Sequence, residues 1–405
     1  MKKNLLMIGV SRSVGGKLTK EDEIDVYAIE EEEIYIRNKI KDYKSSVIKK
    51  VIKCKYIDSD EYIDKVKELS KEIKFHGVLA ARDYAVRAAS KVAEMLELPG
   101  IGVENANILT NKCKLRNACE KYNIPHPKFK KINTIGELRE FYQGKAIIFK
   151  PATLQASLGI SKINCLNDID WAWNNTTLTK DEKAVNRELS RENIAEDFIG
   201  GFEISVESLV KDGEIIFNNI TRKLTFEDSC VEKAHIIPSC LPKQLEKRIL
   251  QEKEHFVKSM RIKSGILHSE WKIENDNPIL IECAGRIPGD KIYELMSISY
   301  DFAFLKELSN LLVDNEVHIN TMPKKVSQIR YFESKPGTLK EIKGLEILDN
   351  PEVIEWNINV KKGDRIPKVT SSFDRIGFFI ISAVNINELE KLEKKILSGV
   401  EFIVD

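Results

Sequence analysis

The chain has 405 residues, 42% of them hydrophobic and 31% charged, enough to bury more than one core, and its length implies two or three domains. Its 64 basic and 63 acidic residues leave a net charge of +1 with no basic block, which gives no support to a nucleic-acid or membrane-surface role. No apolar stretch approaches the roughly 20 residues of a membrane helix, and seven cysteines without a C-x-x-C pair indicate neither a disulfide framework nor a zinc site, so the expected compartment is the cytoplasm.

Met1-Lys2-Lys3 before Leu5–Val10 imitates a signal peptide, but the apolar run is too short and no small-residue cleavage site follows; it predicts a first buried strand. Ile24–Ile29 and Gly77–Ala81 read as further strands, and Glu61–Lys74 and Ala85–Leu96 carry apolar residues at helical spacing. This alternation predicts a small parallel sheet flanked by helices. Gly15-Gly16-Lys17 is not a P-loop, because Ser11 and Leu18 stand where that motif needs Gly and Ser or Thr.

A helix is predicted over Asn111–Tyr122, stopped by Ile124-Pro125-His126-Pro127. Ala146–Lys150 and Gly159–Asn164 read as strands around a turn of small residues, the kind whose backbone N–H groups cradle phosphate oxygens. Residues 167–192 are polar and helical in character; Ile194–Ile199, Glu203–Val210 and Glu214–Asn219 are predicted strands, and Leu241–Met260 a long helix. The stretch from Glu227 to Ser239 reads as polar, with Glu232 and His235 facing either a substrate pocket or solvent. After about residue 325, strands at Val326–Phe332, Val353–Val360 and Phe378–Val384 and a helix at Asn387–Leu397 suggest a separate small α+β module.

The most informative stretch is a hairpin, His268–Glu274 and Pro278–Glu282 around a three-residue loop, Asn275-Asp276-Asn277. Centred on Asp276, it places Glu270 opposite Glu282. Facing carboxylates repel unless a cation lies between them, and one or two carboxylates shared with phosphate oxygens is how Mg²⁺ is usually held. The alternative is a surface hairpin with the register off by one. Arg286, held by the Pro288-Gly289 turn, is placed to clamp a phosphate or carboxylate.

In order, Asn111-Lys112, Phe149-Lys150-Pro151 with Ser157-Leu158-Gly159, Ala195-Glu196-Asp197-Phe198-Ile199 with Glu203, and Glu270, Glu282 and Arg286 resemble the ATP-grasp superfamily. Within it, Gly285-Arg286-Ile287-Pro288-Gly289-Asp290 and the C-terminal segments are similar to the bacterial L-amino acid ligases. The resemblance implies an α/β and α+β architecture: an N-terminal Rossmann-like (pre-ATP-grasp) domain over 1–105, an ATP-grasp domain over 106–325 with a lid at about 135–193, and a C-terminal ligase-associated α+β module over 326–405. It implies ATP and Mg²⁺ (or Mn²⁺), small-molecule substrates, a homodimer, and formation of an amide or peptide bond from an amino acid through an acyl-phosphate.

Residue by residue, the resemblance gives Lys112 and Lys150 to ATP phosphates, with Ser157 and Gly159 in the phosphate turn; Glu196 and the backbone of Asp197, Phe198 and Ile199 to adenine; and Glu203 to ribose. It gives Glu270 and Glu282 to the metal and Arg286 to the acyl-phosphate. Glu232, His235, His268 and Gly289 join Arg286 around the substrate, His235 also as a candidate base. Ala284 departs from the pattern, since many of these enzymes have Asn there as a further metal ligand. Rival readings are a biotin-type ATP-grasp carboxylase, a ligase acting on a carrier protein, and a non-catalytic ATP-binding regulator.

Overall fold

The computed structural model describes residues 2–181, 185, 189, 192–226 and 231–405. The first unit is a parallel sheet of order β3-β2-β1-β4, from β1 (Lys3–Ile8), β2 (Ile24–Glu30), β3 (Ile48–Lys53) and β4 (Gly77–Ala80). Helices α1 (Arg12–Lys17), α2 (Glu32–Arg37), α3 (Glu61–Leu69) and α4 (Val86–Met95) connect or flank it. β1 and β4 are apolar because both faces of a parallel sheet are covered; Leu5, Leu6, Met7 and Ile8 have no exposed surface. The rejected P-loop segment folds as α1, N-capped by Ser11.

After α5 (Val103–Leu109), α6 (Lys112–Tyr122) starts where Asn111 accepts from the backbone N–H of Lys114. A four-stranded antiparallel sheet follows, order β5-β8-β6-β7, from β5 (Phe129–Ile132), β6 (Ile147–Pro151), β7 (Ser161–Ile163) and β8 (Asn193–Asp197). Helices α7 (Ile135–Phe141) and α8 (Ile169–Leu178) pack on it around its own core of Ile132, Leu138, Phe149, Ile163 and Ile169. The unit spans Phe129 to Asp197, and the lid was expected at about 135–193. The predicted helical stretch 167–192 yields α8; most of its second half lies outside the described residues.

The largest sheet has eight strands. Its first part comprises β9 (Phe202–Lys211), β10 (Glu214–Thr225), β11 (Glu232–Ile237), β12 (Gly265–Glu274) and β13 (Asn277–Ala284). The chain continues through β14 (Val326–Tyr331), β15 (Gly337–Lys343), β16 (Val353–Ile358), β17 (Arg365–Ile366), β18 (Gly377–Ala383) and β19 (Glu401–Val404), and the order in the sheet is β13-β12-β9-β10-β11-β14-β18-β16. The C-terminal strands extend the central sheet through the β11–β14 pairing, Ala234 opposite Arg330, while packing a core of their own that includes Leu339, Phe379 and Leu392. The remaining helices are α9 (Lys243–Ser259), α10 (Ile292–Tyr300), α11 (Phe304–Leu312) and α12 (Ile386–Gly399).

The two faces of the central sheet divide by the period of two. One presents Ile204, Val206, Ile220, Trp271 and Ile273 to α9, in a core continuous with the first unit. The other is apolar at one end, where Leu209, Phe217 and Ile266 meet α10 and α11, and polar at the other. Two predicted elements change here. β10 runs to Thr225 rather than Asn219, because its later residues Asn219, Thr221 and Lys223 are polar yet buried on that second face. The polar stretch read between Glu227 and Ser239 contains strand β11, whose side chains Ala234, His235, Ile236 and Ile237 are buried; residues 227–230 lie outside the described residues.

Candidate active site

Strands β12 and β13 join through a two-residue turn, Asn275-Asp276, with φ of 51° and 59°. The sequence suggested three residues. Asn and Asp tolerate this left-handed backbone, and two-residue hairpin turns match strand twist. Glu274 pairs with Asn277 and Trp271 with Leu280, and then the register shifts so that Glu270 still faces Glu282. A bulge at Ile281 makes this shift, compensating the shorter turn and keeping both acids on the polar face. The carbonyl of Ile281 accepts from Arg116 on α6 at 2.6 Å.

Arg116 is a site residue that the sequence reading missed. Its Nε lies 2.8 Å from Oε1 of Glu196 on β8, as an ion pair off the line of an aligned hydrogen bond. Lys150, at the end of β6, donates to the other oxygen of Glu196 at 2.7 Å. All three side chains are buried. Burial alone would raise the Glu196 carboxyl; Arg116 and Lys150 outweigh it and bring it down to about 2. Four residues before Arg116, Lys112 bonds the carbonyl of Leu154 at 2.9 Å and Oε1 of Glu282 at 3.1 Å. The i, i+4 spacing of two cations was the signal available in the sequence.

Lys223 on β10 was missed too. It is 1% exposed, and its ammonium reaches Glu270 at 2.6 Å, Glu232 at 3.0 Å and Glu203 at 3.1 Å. Burial would lower its pKa; the three carboxylates, Glu270 foremost, hold it well above the ordinary lysine range. His268 connects Glu270, at 3.4 Å from Nε2, to the fully buried Glu207, at 2.9 Å from Nδ1. Glu207 also accepts from Ser205, Asn219 and Thr221. Burial would lower the pKa of His268, but the two carboxylates, one facing each ring nitrogen, outweigh it and raise it. For Glu270, Lys223 and His268 overcome burial and hold the carboxylate well below its usual range.

The third cluster surrounds the loop after β13. Arg286 pairs through Nε with Asp83, just past β4, at 2.9 Å and donates to the carbonyl of Ile287. Asp290 takes a two-pronged bond from Arg375 at 2.7 and 2.9 Å and meets Nε2 of His235 at 3.0 Å. Arg375 lies 3.8 Å above the Tyr331 ring. Nδ1 of His235 is buried without a hydrogen-bond partner among the described residues. Gly289 sits in this loop, its carbonyl accepting from Ile292 at the start of α10.

The predicted nucleotide residues lie on and beside the lid. Ser157 and Gly159 occupy the β6–β7 turn, where Ala156, Ser157 and Gly159 all have positive φ. The N–H groups of Asp197 and Phe198 are bonded to Lys128 and Ala146, so of the three expected adenine contacts Ile199 alone keeps an N–H without a partner among the described residues. The ring of Phe198 lies 3.9 Å from the Lys162 ammonium. Glu203 is the second residue of β9, against Lys272 at 3.4 Å as well as Lys223.

This arrangement fits a divalent cation. Glu270 and Glu282 are directly opposite, and their protein contacts among the described residues all fall on Oε1, leaving one oxygen of each unengaged. It fits phosphates too, since the buried Lys112 and Lys150 come from adjoining elements, α6 and β6, where Lys112 bonds the Leu154 carbonyl and Arg116 and Lys150 share Glu196.

The pattern for the ATP-grasp domain matches residues 143–294, and that for the L-amino acid ligase C-terminal domain 2 matches residues 330–405. The chain is 25% identical over 250 residues, 57% of its length, to alanine–anticapsin ligase of Bacillus subtilis, of which it covers 52%. It thus spans about half the length of the curated relatives it matches there. It is 23% identical over 393 residues, 92% of the chain and 86% of the relative, to phosphoribosylamine–glycine ligase of Pyrococcus furiosus. Among solved structures, the L-amino acid ligase from Bacillus licheniformis superposes over 100% of this chain and 99% of its own, with a TM-score of 0.81 at 19% identity. No helix among the described residues is long and apolar enough to cross a membrane. The chain thus carries an ATP-grasp domain followed, in sequence order, by the L-amino acid ligase C-terminal domain 2.

Proposed function

We propose that the protein is an ATP- and Mg²⁺-dependent carboxylate–amine ligase that forms an amide or peptide bond through an acyl-phosphate, with an amino acid as the carboxylate substrate. The observation that carries this reading is Glu270 opposite Glu282, with Lys112 on the second acid and Arg286 beyond the end of the strand. A carboxylate is a poor electrophile at neutral pH, and phosphorylation gives it a good leaving group. In-line phosphoryl transfer asks a protein for positioning and charge neutralisation rather than covalent help.

The roles follow from position. Glu270 and Glu282 would hold a divalent ion, which supplies positive charge to the transferring phosphoryl group. Lys112 and Lys150 would hold phosphate oxygens, and Ile199 with the Phe198 ring would face the base. Glu196 holds the Lys150 ammonium, and Arg116 links Glu196 to the strand that carries Glu282. Arg286 would steady the acyl-phosphate and the tetrahedral adduct that the amine forms on it. Glu232 and the unpartnered Nδ1 of His235 would face the amine, with Asp290 fixing the ring from its other nitrogen. Closure of the lid would keep water from the acyl-phosphate.

The test is to incubate the protein with ATP, Mg²⁺ and amino acids, singly and in pairs, and to follow phosphate release and product mass. A condensed mass that depends on an amino acid supports the ligase. Phosphate release that needs bicarbonate instead would transfer the reading to a carboxylase, and nucleotide binding without turnover would point to a regulator.

A further inference from the structure

Three acids, Glu203, Glu232 and Glu270, bring carboxylate oxygens within 4.8 Å of one another, a spacing that could suit a metal ion. The centre of the cluster is already filled. Lys223 is buried there, and an ammonium has three donors, which match the three acceptors at 2.6, 3.0 and 3.1 Å. A metal in the same place would have to expel a buried ammonium from a strand held on both sides, by β9 and β11. Glu270 contributes Oε1 to this tripod and to His268, while Glu282 contributes Oε1 to Lys112. What remains for a divalent ion is one oxygen from each of two facing acids. Ala284, at the end of the same strand, has no side-chain oxygen to add.

We propose that Lys223 is a built-in cation of the site: it holds Glu203, Glu232 and Glu270 together, closes that cluster to metal, and leaves Glu270 and Glu282 to bind a single divalent ion. The inference rests on the nucleotide site proposed above and deepens it. Two facing carboxylates would be enough to hold one divalent ion beside phosphate oxygens, and the Lys223 ammonium offsets part of the charge of Glu270 and its neighbours. Because its partners come from β9, β11 and β12, Lys223 also links the strand expected to hold ribose to the metal pair and to the acid expected at the amine.

The experiment is a Mn²⁺ titration of the full chain with ADP, reading free Mn²⁺ by electron paramagnetic resonance. One nucleotide-dependent Mn²⁺ per chain is expected for the wild type, two for Lys223→Met, whose emptied cluster exposes three carboxylates, and one again for Lys223→Arg. Two ions on the wild type, or a folded Lys223→Met that still binds one, would overturn the inference and leave the ligase reading standing. If Lys223→Met fails to fold, the wild-type count decides alone. Absence of both ADP and Mn²⁺ binding would sink the nucleotide site and this inference together.

Discussion

Glu196 concentrates the residue-scale physics of this site. It is buried between two cations, and its carboxyl lies near 2 instead of the ordinary 4.5. A carboxyl whose pKa is depressed by folding stabilises the fold fully above its unfolded value and loses that contribution as pH falls through the folded one. The stability of the chain should therefore decline between about pH 4.5 and 2, by roughly 3 kcal/mol from this group. In urea titrations Glu196→Gln should be less stable at pH 7 by ~3–5 kcal/mol, because it leaves Lys150 and Arg116 buried without their counter-charge, and its stability should change less across that acid window. An equally steep acid decline in the variant would assign the effect elsewhere. At Arg286, replacement by Ala should lower kcat by about 10²–10³ with ADP affinity little changed, the pattern for a group aimed at developing charge. An equal loss of ADP affinity would make Arg286 a nucleotide ligand instead. Lys112, Lys150, Glu270, Glu282 and Arg286 stand out in the sequence because each lies at or just beyond the end of an element or in a short polar hairpin. Arg116 and Lys223 do not, since a lone cation in a helix or strand gains meaning only from partners far along the chain.

Elements carry these residues by period and turn. The alternation Glu203-Ile204-Ser205-Val206-Glu207 and its counterparts on β10 and β12 separate a polar face from an apolar one, and that separation was readable. The hairpin register was readable too, but by a route that differs from the real one: a three-residue loop was expected, and a two-residue turn with a bulge at Ile281 gives the same Glu270–Glu282 pairing. A bulge leaves no mark in composition, because here it is fixed by Arg116 taking the freed carbonyl. Another element-scale constraint lies just before β9. Gly201 has φ of +73°, and a Cβ there would stand 1.9 Å from the carbonyl oxygen of Ile273. Gly201→Ala should force β9 away from β12, cost ~1–3 kcal/mol in chemical denaturation, and weaken ADP binding through displacement of Glu203. Unchanged stability would mean that the backbone there relaxes freely.

Across the whole molecule, the continuous central sheet and the separate lid core predict different mobilities. The first unit, α9 and the central sheet share one core, and the C-terminal strands extend that sheet. The lid has its own core and meets α6 through polar contacts such as Lys112 to Leu154 and Asn111 to Glu192 and through a small apolar cluster of Cys113, Ala152 and Ile194. Hydrogen exchange should therefore be faster over β5 to β8 than over β9, β12 and β13, and should slow in the lid when ADP and Mg²⁺ are added. Uniform protection before and after nucleotide would argue against a closing lid. The expectation of a lid rested on a run of strands around a turn of small residues. The union of the C-terminal strands with the central sheet was not legible, because the β11–β14 pairing joins Ala234 to Arg330 and no local pattern reports so distant a partner.

The central claim is that this site activates a carboxylate by phosphorylating it. The direct measurement uses an amino acid labelled with ¹⁸O in its carboxyl group, supplied with ATP, Mg²⁺ and an amine, and weighs the phosphate released. Passage through an acyl-phosphate places one carboxyl oxygen in each phosphate, and Glu282→Ala should abolish both the phosphate and the label. Phosphate that carries no label while product forms, or release of AMP in place of ADP, would contradict the account.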